Sequence, residues 1–253
     1  MKNLPIVLLL AAGFGTRLKE LTKDRPKPLI DIGEHRLIDF ALTHIKRAKL
    51  RDLVINLHYK GDMIKEYLGA GSSYGLNIEY SEEDPILDTG GAIKRVMQMH
   101  PGRDVLVYNC DALFGEQLRL ASFIEDFYAS KNIARMLLTE KREGFGAIGT
   151  RVVENAQMAL ISIPGCELKG RGEIEQEWTF TGIHIFSHKI QVFMEEMGEV
   201  FGSIRTLYPS ILRAGAPIGA SQYKGYWQDT GTLERLELVK KDYEQGLFDS
   251  IFG

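Results

Sequence analysis

The sequence predicts an α/β fold with a central mixed, mostly parallel sheet covered by helices. Three observations carry this reading. The first half alternates short apolar runs with segments of helical spacing, the pattern of parallel strands joined by crossover helices. After residue 134, four strand-like segments follow one another with no helix between them, which adds antiparallel pairing. With 253 residues, 44% of them apolar and 26% charged, the chain is long enough to bury a full core.

The first strand is Ile6–Leu10, an unbroken apolar run that ends in the small residues Ala11, Ala12, Gly13 and Gly15. Residues 37–48 place Leu37, Phe40, Ala41 and Ile45 on one helical face. A strand at 53–57, a helix at 60–68, a strand at 77–81 and a helix at 92–99 continue the alternation, followed by a strand at 105–108 and a helix at 117–131. Strands are then expected at 134–139, 147–153, 158–163 and 180–186. Helices at 189–197 and 204–214, a short strand and a last helix at 233–245 complete the series. No repeat, low-complexity tract or Pro/Gly/Ser-rich linker breaks the chain, so a single domain is expected, with its character changing near residue 133.

A net charge of −3 argues against non-specific nucleic-acid or membrane binding, either of which would need a basic excess. Cys110 and Cys166 form no metal-spaced pair and suit a reducing compartment. The first twelve residues resemble a signal peptide only superficially. Pro5 interrupts them, their apolar run is strand-sized and a glycine-rich loop follows at once. A cytoplasmic protein is expected, and nothing in the sequence requires more than a monomer.

A strand running into Ala11, Ala12, Gly13 and Gly15 lets bare backbone N–H groups approach a polyphosphate. Arg17 and Lys27 add two cations at the same junction, the combination a triphosphate with a charged leaving group requires. Dinucleotide binding would need a third glycine where Leu18 stands, and an acid near Asn56, Leu57 and His58. The ATPase phosphate-loop pattern is absent as well. Asp111 follows a strand, where ligands of α/β sheets bind; capping a following helix is the other reading. Asp229 is either a carboxylate of the site or part of a turn before a helix capped by Thr232. Thr89-Gly90-Gly91 opens a helix, and its donors serve either a nucleotide or only the helix start. Glu83 is a carboxylate, which accepts hydrogen bonds but does not donate them. His58 and His184 read as structural.

The run Leu10-Ala11-Ala12-Gly13-Phe14-Gly15-Thr16-Arg17-Leu18, with Pro26-Lys27-Pro28-Leu29 after it, resembles the signature of the sugar-1-phosphate nucleotidyltransferases. Tyr80-Ser81-Glu82-Glu83, Leu87-Asp88-Thr89-Gly90-Gly91-Ala92-Ile93 and the segment from Trp227 to Leu236 extend the likeness over nearly the whole chain. The resemblance implies a Rossmann-like fold, with nucleotide binding over about 1–133 and sugar binding over about 134–253. It implies nucleotide contacts from Leu10, Ala11, Ala12, Gly13, Gly15, Thr16, Arg17, Lys27, Glu83, Thr89 and Gly90. Sugar contacts fall to Gly146, Thr181, Gly182 and Asp229, a Mg²⁺ site to Asp111 and Asp229, and catalysis to Arg17, Lys27 and Asp111.

The implied substrates are an NTP, with UTP favoured, and a sugar 1-phosphate, with N-acetylmuramic acid 1-phosphate favoured. Ala147 stands where relatives carry Arg, and Phe180 where many carry Asn. The E-K-P segment that anchors the sugar phosphate is missing, with Lys169 and Arg171 the nearby cations. No hexapeptide-repeat tail of the kind some relatives carry is present. Two carboxylates without a Cys/His cluster suit a hard, water-retaining ion. A sister enzyme for hexose or heptose with GTP is the nearest alternative, and a catalytically silent nucleotide-sugar sensor is the alternative of another class.

Overall fold

The computed structural model describes residues 4–153, 157–167 and 172–252. These residues group into two compact units that interleave along the sequence. The first comprises residues 6–86, 108–120 and 225–252; the second comprises 4–5, 87–107 and 121–224. The chain therefore passes from one unit to the other several times, and residue 133 is not one of the crossing points.

In the first unit, Ile6–Leu10 pairs in parallel with Asp52–Leu57, which pairs in parallel with Asn77–Glu82. Helices Leu37–Arg47 and Gly61–Leu68 connect these strands as expected. Ile6–Leu10 and Asp52–Leu57 are apolar and buried almost throughout, as strands covered on both faces are, whereas Asn77–Glu82 alternates buried and exposed residues. Leu37, Phe40, Leu113, Leu236, Val239, Phe248 and Ile251 form one buried cluster. It fixes the last long helix, Leu233–Glu244, and a four-residue helix, Asp249–Phe252, that the sequence reading omitted. A short antiparallel pair joins Ala112–Phe114 to Trp227–Asp229, and this pair sets the position of two candidate carboxylates.

The second unit is a mixed sheet. Ala134–Glu140 pairs in parallel with Ile218–Gln222 and antiparallel with Gln176–Phe186. Ala147–Val153 pairs antiparallel with both Gln157–Ile163 and Gln176–Phe186. Parallel pairing thus dominates the first unit and antiparallel pairing the second. The helix expected at 117–131 is shorter, Leu120–Ala129, because Leu118 N bonds to Gly115 O in a preceding turn. The helix expected at 204–214 opens as a π-turn, Ser203–Leu207, before Tyr208–Arg213. Pro209 has no N–H for the ordinary ladder, and Tyr208 N reaches back five residues to Ser203 O. The segment near 189–197 is a 3₁₀ helix, His188–Met194. Among the described residues no helix is long and apolar enough to cross a membrane.

Two buried histidines make the fold acid-sensitive. Burial lowers the pKa of His44 to about 4, although Phe114 O, 3.2 Å from its Nε2, pulls the other way. Burial lowers His184, which lies 3.2 Å from Tyr208 Oη, to about 3. In the unfolded chain both take up a proton near pH 6.5. Between pH 6.5 and 4 the unfolded state therefore binds more protons, and stability falls as pH falls. Thermal unfolding should show a melting temperature that drops steadily from pH 7 to 4.5, and His44→Gln should flatten part of that slope. A melting temperature constant over that range would contradict the assignment of neutral buried imidazoles.

Candidate active site

The first unit builds a cationic loop at the end of Ile6–Leu10. Gly13 is exposed, with open space where a side chain would stand. Gly15 has φ +65°, and a Cβ there would lie 2.8 Å from Thr22 Cγ2 and 3.3 Å from Lys27 Cβ. Both backbone and space demand glycine, so the loop is pressed against Lys27. Thr22 Oγ1 donates to Gly15 O at 3.1 Å and secures the turn. Pro26 is extended, and Lys27–Leu29 forms a single 3₁₀ turn closed by Ile30 N on Lys27 O. Lys27 Nζ then donates to Asp111 Oδ2 at 2.6 Å, with the two side chains 12% and 31% exposed.

Asp111 does not cap a helix, since Ala112–Phe114 is a strand. Cys110 N donates to Leu10 O, which ties this segment to the root of the loop. The Cys110 thiol is pushed far up by burial first and by the Asp111 charge second, so it stays protonated and is no nucleophile. Thr230 donates to Asp111 O through both its amide and its hydroxyl at 2.9 Å. Asp229 sits opposite Ala112, one position along in the antiparallel register. Its Oδ1 accepts from Gly231 N and from Arg235 Nη1, each at 2.8 Å. Thr232 Oγ1 accepts from Arg235 N, so the turn and helix-cap reading of this segment holds alongside any ligand role.

Arg17 is exposed and its guanidinium packs over Gly231: a Cβ there would lie 3.1 Å from Arg17 Nη2 and 2.7 Å from Asp229 Oδ1. One unit thus brings together the loop residues, Arg17, Lys27, Asp111 and Asp229. It adds Arg235, which sequence reasoning quoted within a motif but gave no role. Its spacing of three from Thr232, one helical turn into a capped helix, was the available signal. Gly231→Ala should keep the fold and lower turnover about 10–10²-fold by displacing Asp229 and Arg17, as small misplacements at reacting centres do. Steady-state rates with a thermal melt alongside would check this; wild-type turnover would mean that the crowding is absorbed elsewhere.

Glu83 is buried, and its Oε1 accepts from Asn56 Nδ2 at 2.9 Å. Asn56 Oδ1 accepts from Ala11 N at 2.7 Å, so a residue noted earlier only for not being an acid anchors the loop. His58 Nδ1 lies 2.7 Å from Glu83 O. A carbonyl only accepts, so Nδ1 carries the proton. Phe14, exposed in the loop, meets the His58 ring edge-on at 5.0 Å.

The remaining candidates lie in the second unit. The helix Asp88–Met99 starts at Thr89-Gly90-Gly91 as expected, but its first amides are already engaged. Thr89 N bonds Asp88 Oδ1, while Gly90 N and Gly91 N both bond Phe201 O. Thr89 Oγ1 accepts from Ser203 N at 2.8 Å. The helix-start reading accounts for these donors, and a nucleotide role for Thr89 and Gly90 cannot rest on those amides. Thr181 is buried, its hydroxyl donating to Leu137 O at 2.7 Å. Gly182 has φ +93°, inside a bulge where the pairing of Gln176–Phe186 with Ala134–Glu140 shifts register. Gly146 is exposed, with Pro164 Cγ 2.6 Å from where a Cβ would be. Lys169 and Arg171 lie outside the described residues.

Among the described residues no group of three or more His, Cys, Asp or Glu is arranged to hold a metal ion. Asp111 and Asp229 each give one oxygen to a cation, Lys27 and Arg235, and retain the other. Two hard oxygens fit a magnesium ion that keeps its waters and completes its shell with phosphate oxygens, and they fit zinc poorly.

The model of the family described as Nucleotidyl transferase matches residues 6–246. The chain belongs to this nucleotidyltransferase family. An N-acetylmuramate alpha-1-phosphate uridylyltransferase of Neisseria meningitidis is 29% identical over 238 residues, covering 91% of this chain and 94% of that one. The protein of the same name from Caulobacter vibrioides is 32% identical over 192 residues, covering 73% and 76%. An adenylyltransferase and a guanylyltransferase for other sugar 1-phosphates match at 26% and 27%. A solved UDP-glucose pyrophosphorylase with bound UDP-glucose superposes with a TM-score of 0.80 at 18% identity, covering 96% of this chain and all of that one. The Rossmann-like nucleotidyltransferase fold read from the motifs is therefore the fold of this chain.

Proposed function

We propose that this nucleotidyltransferase transfers a uridylyl group from UTP to N-acetylmuramic acid 1-phosphate, giving the UDP-sugar and pyrophosphate, as a cytoplasmic step of cell-wall recycling. The observation that carries the reading is the Lys27–Asp111 pair, 2.6 Å long, set against a glycine-forced loop with Arg17 and Asp229 in the same unit. Names shared by the Neisseria and Caulobacter relatives support the substrate.

A sugar phosphate oxygen attacks the α-phosphorus in line as pyrophosphate leaves. The second pKa of a phosphate monoester is about 6, so the nucleophile is already ionised at neutral pH and needs no general base. The obstacle is repulsion between two anions. Lys27 and Arg17 hold the triphosphate and take up charge as it moves to the leaving group. Asp111 and Asp229 would hold Mg²⁺, which when bound screens the phosphate charge and polarises phosphoryl oxygens. Loop residues 10–16 align the triphosphate, with free backbone N–H groups supplied from Ala12 onward because Ala11 N is held by Asn56 Oδ1, and Glu83 reads the base. The resemblance assigns Thr89 and Gly90 to the nucleotide and Gly146, Thr181 and Gly182 to the sugar; with their amides taken by Asp88 and Phe201, Thr89 and Gly90 would act otherwise than as amide donors.

The Glu83 carboxylate also suits guanine, whose N1 and N2 both donate, and this favours a guanylyltransferase as the second reading. Pyrophosphate release from a matrix of four NTPs against several sugar 1-phosphates, with Mg²⁺, separates the readings. UTP with the muramic acid phosphate should lead, by at least about tenfold over N-acetylglucosamine 1-phosphate, or about 1.4 kcal/mol of transition-state discrimination. Equal use of both sugars, or a preference for GTP, would refute the substrate assignment. No release with any pair would point to the silent sensor, against which two retained cations and two retained carboxylates argue.

A further inference from the structure

The carboxyl ends of three parallel strands in the first unit are joined by one side chain. Asn56 stands opposite Leu10 in one strand pair and opposite Ser81 in the other. It is only 4% exposed and makes two bonds of opposite sense, accepting from Ala11 N and donating to Glu83 Oε1. An amide N–H can only donate and a carboxylate can only accept, so the Asn56 amide has a single workable orientation. Flipping it would set N–H against N–H and oxygen against oxygen. Glu83, 3% exposed, is held at two further points: its amide donates to Leu57 O at 2.8 Å, and its carbonyl faces His58 Nδ1.

Burying a carboxylate is costly and contributes nothing to strand pairing that an apolar residue would not. A buried acid kept where ligands of parallel sheets bind therefore points to use rather than to packing. Asn56 is one group that makes this acid tolerable, and its bond to Oε1 helps to set the direction of the carboxylate. Through its other end it also fixes Ala11, the first residue of the phosphate loop.

We propose that Asn56 is a positioning residue that couples base reading at Glu83 to the phosphate loop at Ala11. The inference rests on the proposed assignment of Glu83 to the nucleobase. A base that displaces the carboxylate drags the Asn56 amide with it and withdraws the acceptor from Ala11 N. The wrong base is thus penalised at the triphosphate as well as at its own edge, and discrimination appears in kcat as well as in KM.

The test measures kcat and KM for UTP, GTP, CTP and ATP at saturating sugar 1-phosphate, by pyrophosphate release, with thermal unfolding of every variant. Asn56→Asp keeps an acceptor for Ala11 N but turns an acceptor toward Glu83. It should lower kcat/KM for the preferred NTP at least about tenfold, and should shrink its lead over the other three. Combining it with Glu83→Gln restores a donor–acceptor pair with the roles exchanged, and should recover most of both. If Asn56→Asp fails to fold, Asn56→Ala, which removes both side-chain bonds without adding charge, carries the same comparison. A lower melting temperature with the ratios among the four NTPs unchanged would overturn the coupling and leave Asn56 merely structural. Glu83→Ala is the control for the underlying reading: unchanged ratios there would overturn base reading by Glu83 itself, and with it the proposal. Selectivity lost in Glu83→Ala but kept in the Asn56 variants would overturn the coupling alone.

Discussion

Asp111→Ala and Asp229→Ala should each lower turnover by about 10²–10³-fold or more, with the fold intact. That is the scale on which one preorganised electrostatic contact to a transition state is valued. Asp111 has two roles to lose. Its Oδ2 holds Lys27 Nζ at 2.6 Å, and its other oxygen is one of the two that would face the metal. Asp229 is similar, with Oδ1 engaged by Gly231 N and Arg235. Asp111→Asn separates charge from shape: it keeps an oxygen for Lys27 but no longer offsets a cation, and should be almost as inactive as the alanine variant. Both side chains remain partly exposed, so the loss should register in rate far more than in melting temperature. Steady-state pyrophosphate release beside a thermal melt is the measurement. Full activity in both alanine variants, or undiminished wild-type activity in excess EDTA, would defeat the two-carboxylate reading.

What was legible in the sequence followed from local causes. The run Ile6–Leu10 into small residues, the helix Leu37–Arg47 and the alternation through Asn77–Glu82 depend on periodicity and turn chemistry within a few residues. So did the Thr232 cap of the last helix. Less legible were features fixed by partners far along the chain. Ala112–Phe114 is a strand only because Trp227–Asp229 pairs with it, and nothing within three residues announces that. The interleaving of the two units has the same origin, since local patterns say which element forms and not which elements pack together. Pro209 was visible, but its effect, a π-turn, depends on how the neighbouring backbone groups redistribute their bonds.

The site divides in the same way. Arg17 and Lys27 stand out in the sequence itself as cations beside a glycine loop, whereas Asp111 and Asp229 have a cap and a turn as local alternatives and were singled out by the resemblance. Asn56 was not, because an amide in a strand carries no sign of its partners until Ala11 and Glu83 are placed 2.7 and 2.9 Å from it. Thr89-Gly90-Gly91, for which the sequence leaves a nucleotide role and a plain helix start both open, shows why such donors are hard to read. Helix-start amides look like an anion site from sequence, yet here Phe201 O takes two of them. Long-range acceptors decide whether such donors are free.

Lys27→Ala and Arg17→Ala should each cost about 2.7–4 kcal/mol of transition-state stabilisation, or about 10²–10³ in rate. They should fail differently, because the structure holds the two cations differently. Lys27 is locked: its side chain is 12% exposed, packed on Gly15 and tied to Asp111. Its loss leaves Asp111 Oδ2 without a cation, so Lys27→Ala and Asp111→Ala should be far from additive, and the double variant only slightly worse than either single one. Arg17 is exposed and lies over Gly231, and in the proposed role its planar fork would give two-point contact with phosphate. Arg17→Lys keeps the charge but not the fork and should recover only part of the loss. A double-mutant cycle over Lys27 and Asp111, with NTP affinity measured separately by titration, distinguishes these roles. If Lys27→Ala retained near-normal turnover with normal NTP affinity, Lys27 would be a structural partner of Asp111 and the charge on the leaving pyrophosphate would fall to Arg17 alone.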